Sequence, residues 1–447
     1  MSNDNIQEYN KKQITADEAA RLVKSGDWVE YSATINCPHD FDEALSRRKD
    51  ELWDVNIRCD IGPYRHYTLE VDPTGDHFTW NAWHVAGHDK AWIGKTLYHS
   101  PQKLHENPMM IRQNSSPPNI HVVMTTPMDK NGYFNFGASA VSNWAAMEIA
   151  HTVIVEENVN MPRCLGGYQE NVHISQVDYV IKGSNVALPA LPKAEANEVE
   201  QKIASYIIER MYDGCCLQLG IGGIPNAVGQ MVAQSDLKDL GVHSEMYAEA
   251  FMDMYLAGKI NGSRKNIDRY KQVYSFTMGS RSLYDFMDDN PGLAAYPIDY
   301  VNNPWIIAQI DNMVSINAGL EVDLFSQVCS ESVGTRHISG TGGQLDFVEG
   351  AYKSKGGQSF ICLPSVAVVK GQRVSKIQAT LTPGAIVTDP RTATHMLVTE
   401  YGIADVKGKS TWQRAEALIN IAHPDFRDQL IEDAQKMNIW RKVNRIS

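Results

Sequence analysis

Short apolar runs rich in β-branched and aromatic residues recur along this chain, and stretches long enough for helices separate several of them. This alternation predicts α/β architecture, because the helices serve as crossovers between parallel strands. The runs of the first half are Trp28–Ala33, Val55–Ile61, Ile120–Thr126 and Thr152–Val155. Those of the second half are Cys216–Leu219, Val273–Phe276, Met313–Ile316, Ser359–Leu363, Ala385–Val387 and His395–Thr399. We therefore expect an α/β fold with open, largely parallel sheets.

Helix signals lie between these runs. Thr15 and Glu18 form a capping-box pattern that predicts an opening helix, and Gly26 is the residue at which we expect it to stop. Apolar stripes predict further helices over 199–211, 226–232 and 412–422, and Pro424 is well placed as the first residue of another.

The length of 447 residues predicts about two to three domains of roughly 150 residues each. A stretch from Gly183 to Glu195 holds two prolines and little periodicity, which is typical of a linker. We place an N-terminal domain at 1–190 and a C-terminal domain at 191–447. A loose echo between Asp129–Gly137 and Asp323–Gly334 suggests that the two halves are related.

Composition narrows the class of protein. With 43% hydrophobic and 21% charged residues the chain can bury sizeable cores, and its net charge of −12 argues against a nucleic-acid groove or a polybasic membrane contact. The seven cysteines form no CxxC pair, which fits a reduced compartment. No signal profile opens the chain, and no apolar run approaches the ~18 residues of a membrane span. We expect a soluble cytoplasmic protein that forms a homo-oligomer, specifically a homodimer.

A glycine loop, Gly220-Ile-Gly-Gly-Ile-Pro225, follows one predicted strand and precedes a predicted helix. Its glycines permit positive φ, and backbone N–H groups at a helix start favour negative charge. It fails as a dinucleotide fingerprint because Pro225 stands where the third glycine should be, which argues against a nicotinamide dehydrogenase. A tight turn without a ligand is the alternative.

Glu245 closes the apolar segment that starts at Leu240. A carboxylate after a strand of a parallel sheet lies where open α/β proteins bind ligands. The alternative is an acid in the first turn of a helix, a common stabilising placement. Glu249 and Asp253 follow at helical spacing, and we expect both to be solvated.

Other candidates are weaker. The loop around Gly342 and Gly343 offers consecutive backbone donors but also fits a plain turn, and Lys370 fits either a phosphate contact or an ordinary surface lysine. His84 lies among aromatics, as a core histidine would. No cluster of His, Cys and Asp has metal-ligand spacing, so we assign no metal.

The sequence contains six motifs of interest: Met161–Gly166, Gly220–Pro225, Gly241–Met246, Gly340–Phe347, Val398–Asp405 and Arg414–Phe426. Taken together they resemble the acetyl-CoA hydrolase/transferase family, most closely its butyryl-CoA:acetate CoA-transferases and next its 4-hydroxybutyrate CoA-transferases. The resemblance implies two similar α/β domains with the active site in the cleft between them.

The same resemblance implies that Glu245 is a nucleophile that carries a glutamyl-CoA thioester in a ping-pong reaction. Coenzyme A is then a substrate and covalent intermediate, no cofactor is permanently bound, and the partners are acyl-CoA and short carboxylates such as butyryl-CoA and acetate. The residues implied to bind CoA or the oxyanion are Gly220, Gly222, Gly223, Ile224, Pro225, Asn226, Gly342, Gly343 and, less securely, Lys370.

Rival functions use much the same residues. An acyl-CoA hydrolase would keep the nucleophile, and a transferase for 4-hydroxybutyrate, succinate or itaconate would keep the mechanism. A dicarboxylate would need a cationic partner, for which Arg58, Arg65 and Arg112 are the candidates, although each also fits an ordinary surface arginine. A metabolite sensor is a more distant alternative, and no basic DNA-binding segment supports it.

Overall fold

The computed structural model describes residues 3–85, 87–191 and 194–446. The α-helices are α1 Asn3–Lys12, α2 Ala16–Ala20, α3 Asp40–Ser46, α4 Tyr67–Val71, α5 Asn107–Gln113, α6 Asn143–Ile149, α7 Glu198–Ile208, α8 Gly223–Gln234, α9 Glu249–Leu256, α10 Arg281–Met287, α11 Ile298–Val301, α12 Pro304–Ile307, α13 Gln344–Lys353, α14 Thr411–Asn420 and α15 Pro424–Lys436.

The strands are β1 Gln13–Ile14, β2 Trp28–Tyr31, β3 Val55–Cys59, β4 Phe78–Ala82, β5 Leu97–His99, β6 Ile120–Thr125, β7 Tyr133–Asn135, β8 Thr152–Glu157, β9 Asn171–His173, β10 Tyr179–Lys182, β11 Cys216–Leu219, β12 Gly241–Met246, β13 Gln272–Phe276, β14 Leu293–Ala295, β15 Met313–Ala318, β16 Glu321–Asp323, β17 Val328–Cys329, β18 Ser332–Val333, β19 Arg336–His337, β20 Gln358–Cys362, β21 Val366–Val369, β22 Gln372–Ser375, β23 Ile377–Gln378, β24 Met396–Thr399 and β25 Gly402–Asp405.

Two eight-stranded sheets organise the chain, as the α/β prediction requires. The first has the order β1-β10-β8-β6-β2-β3-β4-β5, and all of its neighbours are parallel. The second has the order β14-β13-β12-β11-β15-β20-β24-β25. In it β11 runs parallel to β12 and β15, the series continues parallel through β20 and β24, and β25 closes it antiparallel. The predicted fold class is confirmed.

By packing, the chain divides into two compact units. One comprises Met1–Pro192, Glu245–Tyr247 and Val273–Val301, and the other comprises Lys193–Ser244, Ala248–Gln272 and Asn302–Ser447. The units are discontinuous in sequence, so the division into domains at residue 190 stays a prediction. Among the described residues, no helix is both long and apolar enough to cross a bilayer.

The echo between the halves has a structural counterpart. Oδ1 of Asp129 accepts the N–H groups of Asn131 and Tyr133, two and four residues on. Oδ1 of Asp323 accepts the N–H groups of Phe325 and Gln327 at the same two spacings. Gly137 and Gly334, near the ends of the two motifs, both have positive φ, at 61° and 56°. The same local turn is therefore built in each half.

Three sequence expectations need correction. The capping box of Thr15 and Glu18 is present, but its helix α2 ends at Ala20, well before Gly26. The polar helix α1 precedes it and was missed, because its sequence is dominated by charged and amide residues. No strand forms over 385–387, where Ile386 and Val387 stay 42% and 41% exposed, so this β-branched run has no strand to pair with.

Candidate active site

Glu245 is the penultimate residue of β12 and lies at the carboxyl end of a parallel strand. Its side chain is half-buried, while the other five residues of the strand are buried. The next helix, α9, begins at Glu249 with Ala248 as its N-cap, so the alternative of a first-turn acid applies to Glu249 rather than to Glu245. The placement of Glu245 is thus the one at which open α/β sheets present groups to ligands.

The two acids that follow Glu245 differ from expectation. Glu249 and Asp253 are both half-buried on α9 rather than solvated.

Glu400 lies immediately after β24. Its carboxylate accepts two hydrogen bonds from Ser365, one from the backbone N–H at 2.9 Å and one from the hydroxyl at 2.5 Å. That carboxylate therefore has a structural role of its own.

Strand β12 is held from two sides. Oγ of Ser244 accepts the N–H of Leu219 at 3.4 Å and lies 3.3 Å from the carbonyl oxygen of the same residue. The buried Lys265 donates through Nζ to the carbonyl oxygens of Val242 at 2.9 Å and Lys271 at 2.8 Å. Burial lowers the pKa of Lys265. These contacts fix the backbone just before Glu245, and sequence reasoning missed both because no local pattern signals them.

The first glycine loop begins where β11 ends. Gly222 is the N-cap of α8 with φ of 118°, a conformation that L side chains rarely adopt. The N–H groups of the first helical turn, those of Gly223 and Ile224, precede the first intrahelical hydrogen bond, which Asn226 donates to Gly222. The loop therefore supplies backbone donors at a helix start, where negative charge is favoured.

Each glycine of this loop is constrained differently. A Cβ on Gly220 would meet no protein atom within 4 Å, whereas one on Gly223 would lie 2.2 Å from Oε2 of Glu200. Glu200 closes the capping box of α7 by accepting the N–H of Asn197 at 2.9 Å. A side chain at Gly223 would thus displace the carboxylate of Glu200, while the open space at Gly220 is available to a ligand.

The residues that follow the glycines are buried. Ile224, Pro225 and Asn226 are buried on α8. Nδ2 of Asn226 donates to the carbonyl oxygen of Ala194 at 2.8 Å, which anchors the segment before α7. Of these three predicted CoA-binding residues, Ile224 therefore offers a backbone N–H rather than a side chain, whereas Pro225 has no N–H and that of Asn226 is donated to Gly222.

The second glycine loop also opens a helix. Gly342 has φ of 57°, and Gly343 is the N-cap of α13, which packs against β15 and β20. The first helical residue, Gln344, donates through Nε2 to Oγ of Ser330 at 2.9 Å and to the carboxyl group of Asp389. Asp389 is fully buried, and that burial, reinforced by other carboxylates, raises its pKa to about 7. Sequence reasoning did not identify Asp389 because it lies 45 residues from Gln344.

Lys370 lies in the exposed two-residue turn between β21 and β22, with φ of 49° and Gly371 beside it at 80°. Positive φ at both positions is the signature of a tight hairpin turn. The neighbouring hairpin residues Val368 and Val369 are 72% and 52% exposed. Lys370 is therefore a solvent-facing cation at the tip of a hairpin.

His84 is half-buried just after β4, so it is not fully enclosed as a core histidine would be.

The three arginines considered for a dicarboxylate are all paired within the chain. Arg58 is buried against Glu30 at 2.6 Å, Arg65 contacts Glu70, and Arg112 contacts Glu148 at 2.6 Å. For Arg58, the surface interpretation is wrong, because its side chain is 2% exposed.

Comparison with known proteins agrees with the motifs. The model of the acetyl-CoA hydrolase/transferase N-terminal domain matches residues 2–192, and that of the C-terminal domain matches residues 279–434. A probable butyrate:acetyl-CoA coenzyme A-transferase of Syntrophomonas wolfei is 66% identical over 441 residues, with 99% of each chain covered. The butyryl-CoA:acetate CoA-transferase of Anaerostipes caccae is 51% identical over 442 residues, with 98% of this chain and 99% of that one covered.

Among solved structures, RipA from Yersinia pestis superposes with a TM-score of 0.90 at 33% identity, covering 97% of this chain and 99% of that one.

Proposed function

The chain belongs to the acetyl-CoA hydrolase/transferase family, and we propose that Glu245 is the nucleophile with which it moves coenzyme A from butyryl-CoA to acetate. The observation that carries the proposal is the position of Glu245, a half-buried carboxylate near the end of a parallel strand. The residue before it, Ser244, accepts a hydrogen bond from Leu219, the residue before the first glycine loop. Carboxylates act as covalent nucleophiles where the chemistry conserves an activated acyl group.

The first half-reaction transfers CoA to the protein. A carboxylate oxygen of Glu245 attacks the thioester carbonyl, the C–S bond breaks, and CoA leaves as the thiolate from an acyl-glutamyl anhydride. The thiolate then attacks the glutamyl carbonyl carbon and the anhydride C–O bond breaks. Butyrate departs, and a glutamyl-CoA thioester remains on Glu245. No water and no net proton are consumed.

The second half-reaction runs the same steps in reverse with acetate. Acetate attacks the glutamyl-CoA carbonyl, the thiolate leaves, and an acetyl-glutamyl anhydride forms. The thiolate attacks the acetyl carbonyl, which releases acetyl-CoA and regenerates the Glu245 carboxylate. The kinetics are ping-pong, because butyrate leaves before acetate reacts.

The glycine loops would bind CoA and stabilise the tetrahedral intermediates. The N–H groups of Gly222, Gly223 and Ile224 stand at the start of α8, and those around Gly342 and Gly343 at the start of α13. A preset donor of this kind contributes roughly 3–4 kcal/mol to the transition state. Lys370 on its exposed turn is the candidate for a CoA phosphate.

The acceptor preference follows from charge. A second carboxylate on the substrate would need a cationic partner, because an unpaired buried charge costs several kcal/mol. The candidate arginines already pair with Glu30, Glu70 and Glu148. This supports a monocarboxylate such as acetate, in line with the names of the two relatives reported above.

The test is a panel of acyl-CoAs incubated with acetate, with succinate, and with neither, followed by mass spectrometry. We expect acetyl-CoA to form from butyryl-CoA only when acetate is present. Parallel lines in double-reciprocal plots would report the ping-pong order. Loss of thioester at equal rates without any acceptor would make the chain a hydrolase, and binding of CoA without turnover would make it a sensor.

A further inference from the structure

Two histidines and one aspartate, far from Glu245 in sequence, converge in the N-terminal half. One ligand atom each from His66, His88 and Asp89 can be chosen so that all three lie within 4.8 Å of one another. Nε2 of His66 is 3.5 Å from Oδ1 of Asp89, and Nε2 of His88 is 3.1 Å from the same oxygen. The two histidines are 22 positions apart in sequence, which hides this cluster from any motif search.

We propose that His66, His88 and Asp89 form a binding site for one divalent transition-metal ion. Tetrahedral coordination with bonds of 2.0–2.1 Å separates ligand atoms by about 3.3 Å. The two contacts to Asp89, at 3.1 and 3.5 Å, bracket that separation. The third separation, between the two histidine nitrogens, is at most 4.8 Å, so a bound ion requires these atoms to approach each other by no more than about 1.5 Å.

The chemistry of the three donors selects the ion. Two imidazoles and one carboxylate suit Zn²⁺ or Fe²⁺, whereas Ca²⁺ and Mg²⁺ prefer all-oxygen sites. Three protein ligands leave a coordination position for water or another small oxygen ligand, as in open zinc sites. The ligand class is therefore a borderline-soft divalent cation.

The surroundings hold two of the ligands firmly. The side chains of His66 and Asp89 are each 4% exposed, whereas that of His88 is 45% exposed and provides access for an ion. The ring of His66 lies 4.3 Å from that of Trp80, centroid to centroid. His66 also makes a hydrogen bond with the backbone of Gly62, which helps to hold its ring in place.

A bound ion would connect two irregular segments. His66 stands directly before α4, and His88 and Asp89 begin a short 3₁₀ turn over Asp89–Ala91. Residues 60–66 form neither helix nor strand, nor do the described residues of 83–88. A metal would therefore cross-link these segments and stabilise this part of the chain, independently of the chemistry proposed at Glu245.

The test uses the full-length, tag-free protein, stripped with a chelator and free of CoA, whose thiol would compete for metal. Zn²⁺ is titrated against a chromophoric chelator, and Co²⁺ is added separately to record its visible absorption. We expect one Zn²⁺ per chain, a higher Tm with Zn²⁺, and a tetrahedral Co²⁺ spectrum. Absence of stoichiometric binding by the wild-type protein would overturn the proposal.

Two variants locate the ion. His88→Ala is the primary one, since its half-exposed side chain can be removed with little harm to folding, and Asp89→Asn is the second. Both should bind Zn²⁺ at least tenfold more weakly and lose the Zn²⁺-dependent rise in Tm. The exposed His151→Ala and Asp76→Asn are matched controls that should bind as the wild type does. Unchanged affinity in His88→Ala would place the ion elsewhere and overturn the assignment.

Discussion

Oγ of Ser244 accepts the backbone N–H of Leu219 at 3.4 Å, and this contact joins the strand that carries Glu245 to the strand that leads into the first glycine loop. The parallel register pairs Leu217 with Val242, so its continuation sets Leu219 beside Ser244. Each of these residues directly precedes a group of the proposed site. The register of the two strands therefore sets Ser244 level with Leu219.

Glu245 should become covalently modified during turnover. Incubation with butyryl-CoA followed by borohydride should reduce the glutamyl-CoA thioester to an alcohol, inactivate the enzyme, and shift the mass of the peptide that holds Glu245. Glu245→Gln should lose transfer by several orders of magnitude and still bind CoA. Glu249→Gln is the matched control, because Glu249 is a first-turn acid of α9, and it should retain most activity. A label on Glu249, Asp253 or Glu400 would contradict the assignment.

Substitution of Gly220 in the first glycine loop should impair catalysis without lowering stability. Gly220→Ala places a methyl group where no protein atom lies within 4 Å, so Tm should stay unchanged. If CoA occupies that space, kcat/KM should fall about tenfold or more, which corresponds to ~1.4 kcal/mol. Steady-state kinetics and differential scanning fluorimetry give the two readings. Full activity of Gly220→Val, with its larger side chain, would show that no substrate approaches Gly220.

Gly223→Ala should behave differently, because its methyl group would displace the carboxylate of Glu200 from the capping box of α7. Loss of such a cap costs about 1 kcal/mol, so Tm should fall by roughly 2–4 °C. Glu200→Ala in the same chain should remove the clash, leaving the double variant no less stable than Glu200→Ala alone. If the double variant is less stable by the full cost of Gly223→Ala, the contact with Glu200 is not the cause.

Lys265→Met should weaken the support of β12. The buried ammonium group donates to the carbonyl oxygens of Val242 and Lys271, and each would lose that donor. A buried carbonyl left unsatisfied costs about 1–3 kcal/mol. We expect a lower Tm and a lower kcat with KM little changed, measured against the exposed Lys238→Met. A KM effect with unchanged kcat would mean that Lys265 acts on substrate binding instead of on the position of β12.

These contacts show which parts of the molecule follow from sequence. Local patterns were enough for β11, which matches its predicted bounds, for the capping box at Thr15, and for the helix that starts at Pro424. The position of Glu245 near a strand end and that of the first glycine loop between a strand and a helix were also predicted, because glycines and strand ends leave local signals, while the roles of these residues stay a prediction. The contact of Lys265 with Val242 and that of Gln344 with Asp389 depend on tertiary packing over 23 and 45 residues, which no periodicity encodes.

The errors have the same origin. Ile386 and Val387 are residue types that favour strands. A strand also needs a partner, however, and no neighbouring strand pairs with these residues. Arginine is usually a surface residue, but Arg58 is buried, because Glu30 lies opposite it on the adjacent strand β2 and pairs with it. In both cases the deciding interaction comes from a distant segment.

Asp389 should make stability depend on pH. Its folded pKa of about 7 lies above the ordinary value of 3.8, so its stabilising contribution is complete below about pH 4 and is lost as pH rises through 7. The cost is ~1.4 kcal/mol per pKa unit, a few kcal/mol at most. Asp389→Asn keeps an acceptor for Gln344 but cannot ionise. Relative to the wild type, its Tm should be higher at pH 8 than at pH 5.

Asp428→Asn, at an exposed position, is the control and should show no such difference between the two pH values. Equal Tm offsets for Asp389→Asn at pH 5 and pH 8 would mean that Asp389 is already ionised in the folded protein at pH 5.

The last prediction concerns the acceptor. With butyryl-CoA or propionyl-CoA as donor, acetate should give a higher kcat/KM than succinate or itaconate, because the three candidate arginines are already neutralised by Glu30, Glu70 and Glu148. The decisive variant is Glu148→Gln, which removes the nearer carboxylate from Arg112 and leaves Asp299 at 3.9 Å, at low structural cost, since a surface ion pair contributes only about 0–1 kcal/mol. If Arg112 lies within reach of the acyl group, kcat/KM for succinate should rise in this variant while kcat/KM for acetate stays unchanged. Glu70→Gln, which frees the exposed Arg65, is the parallel comparison. A wild-type enzyme that prefers succinate, and loses that preference in Arg112→Gln, would refute the acetate assignment and leave the role of Glu245 intact.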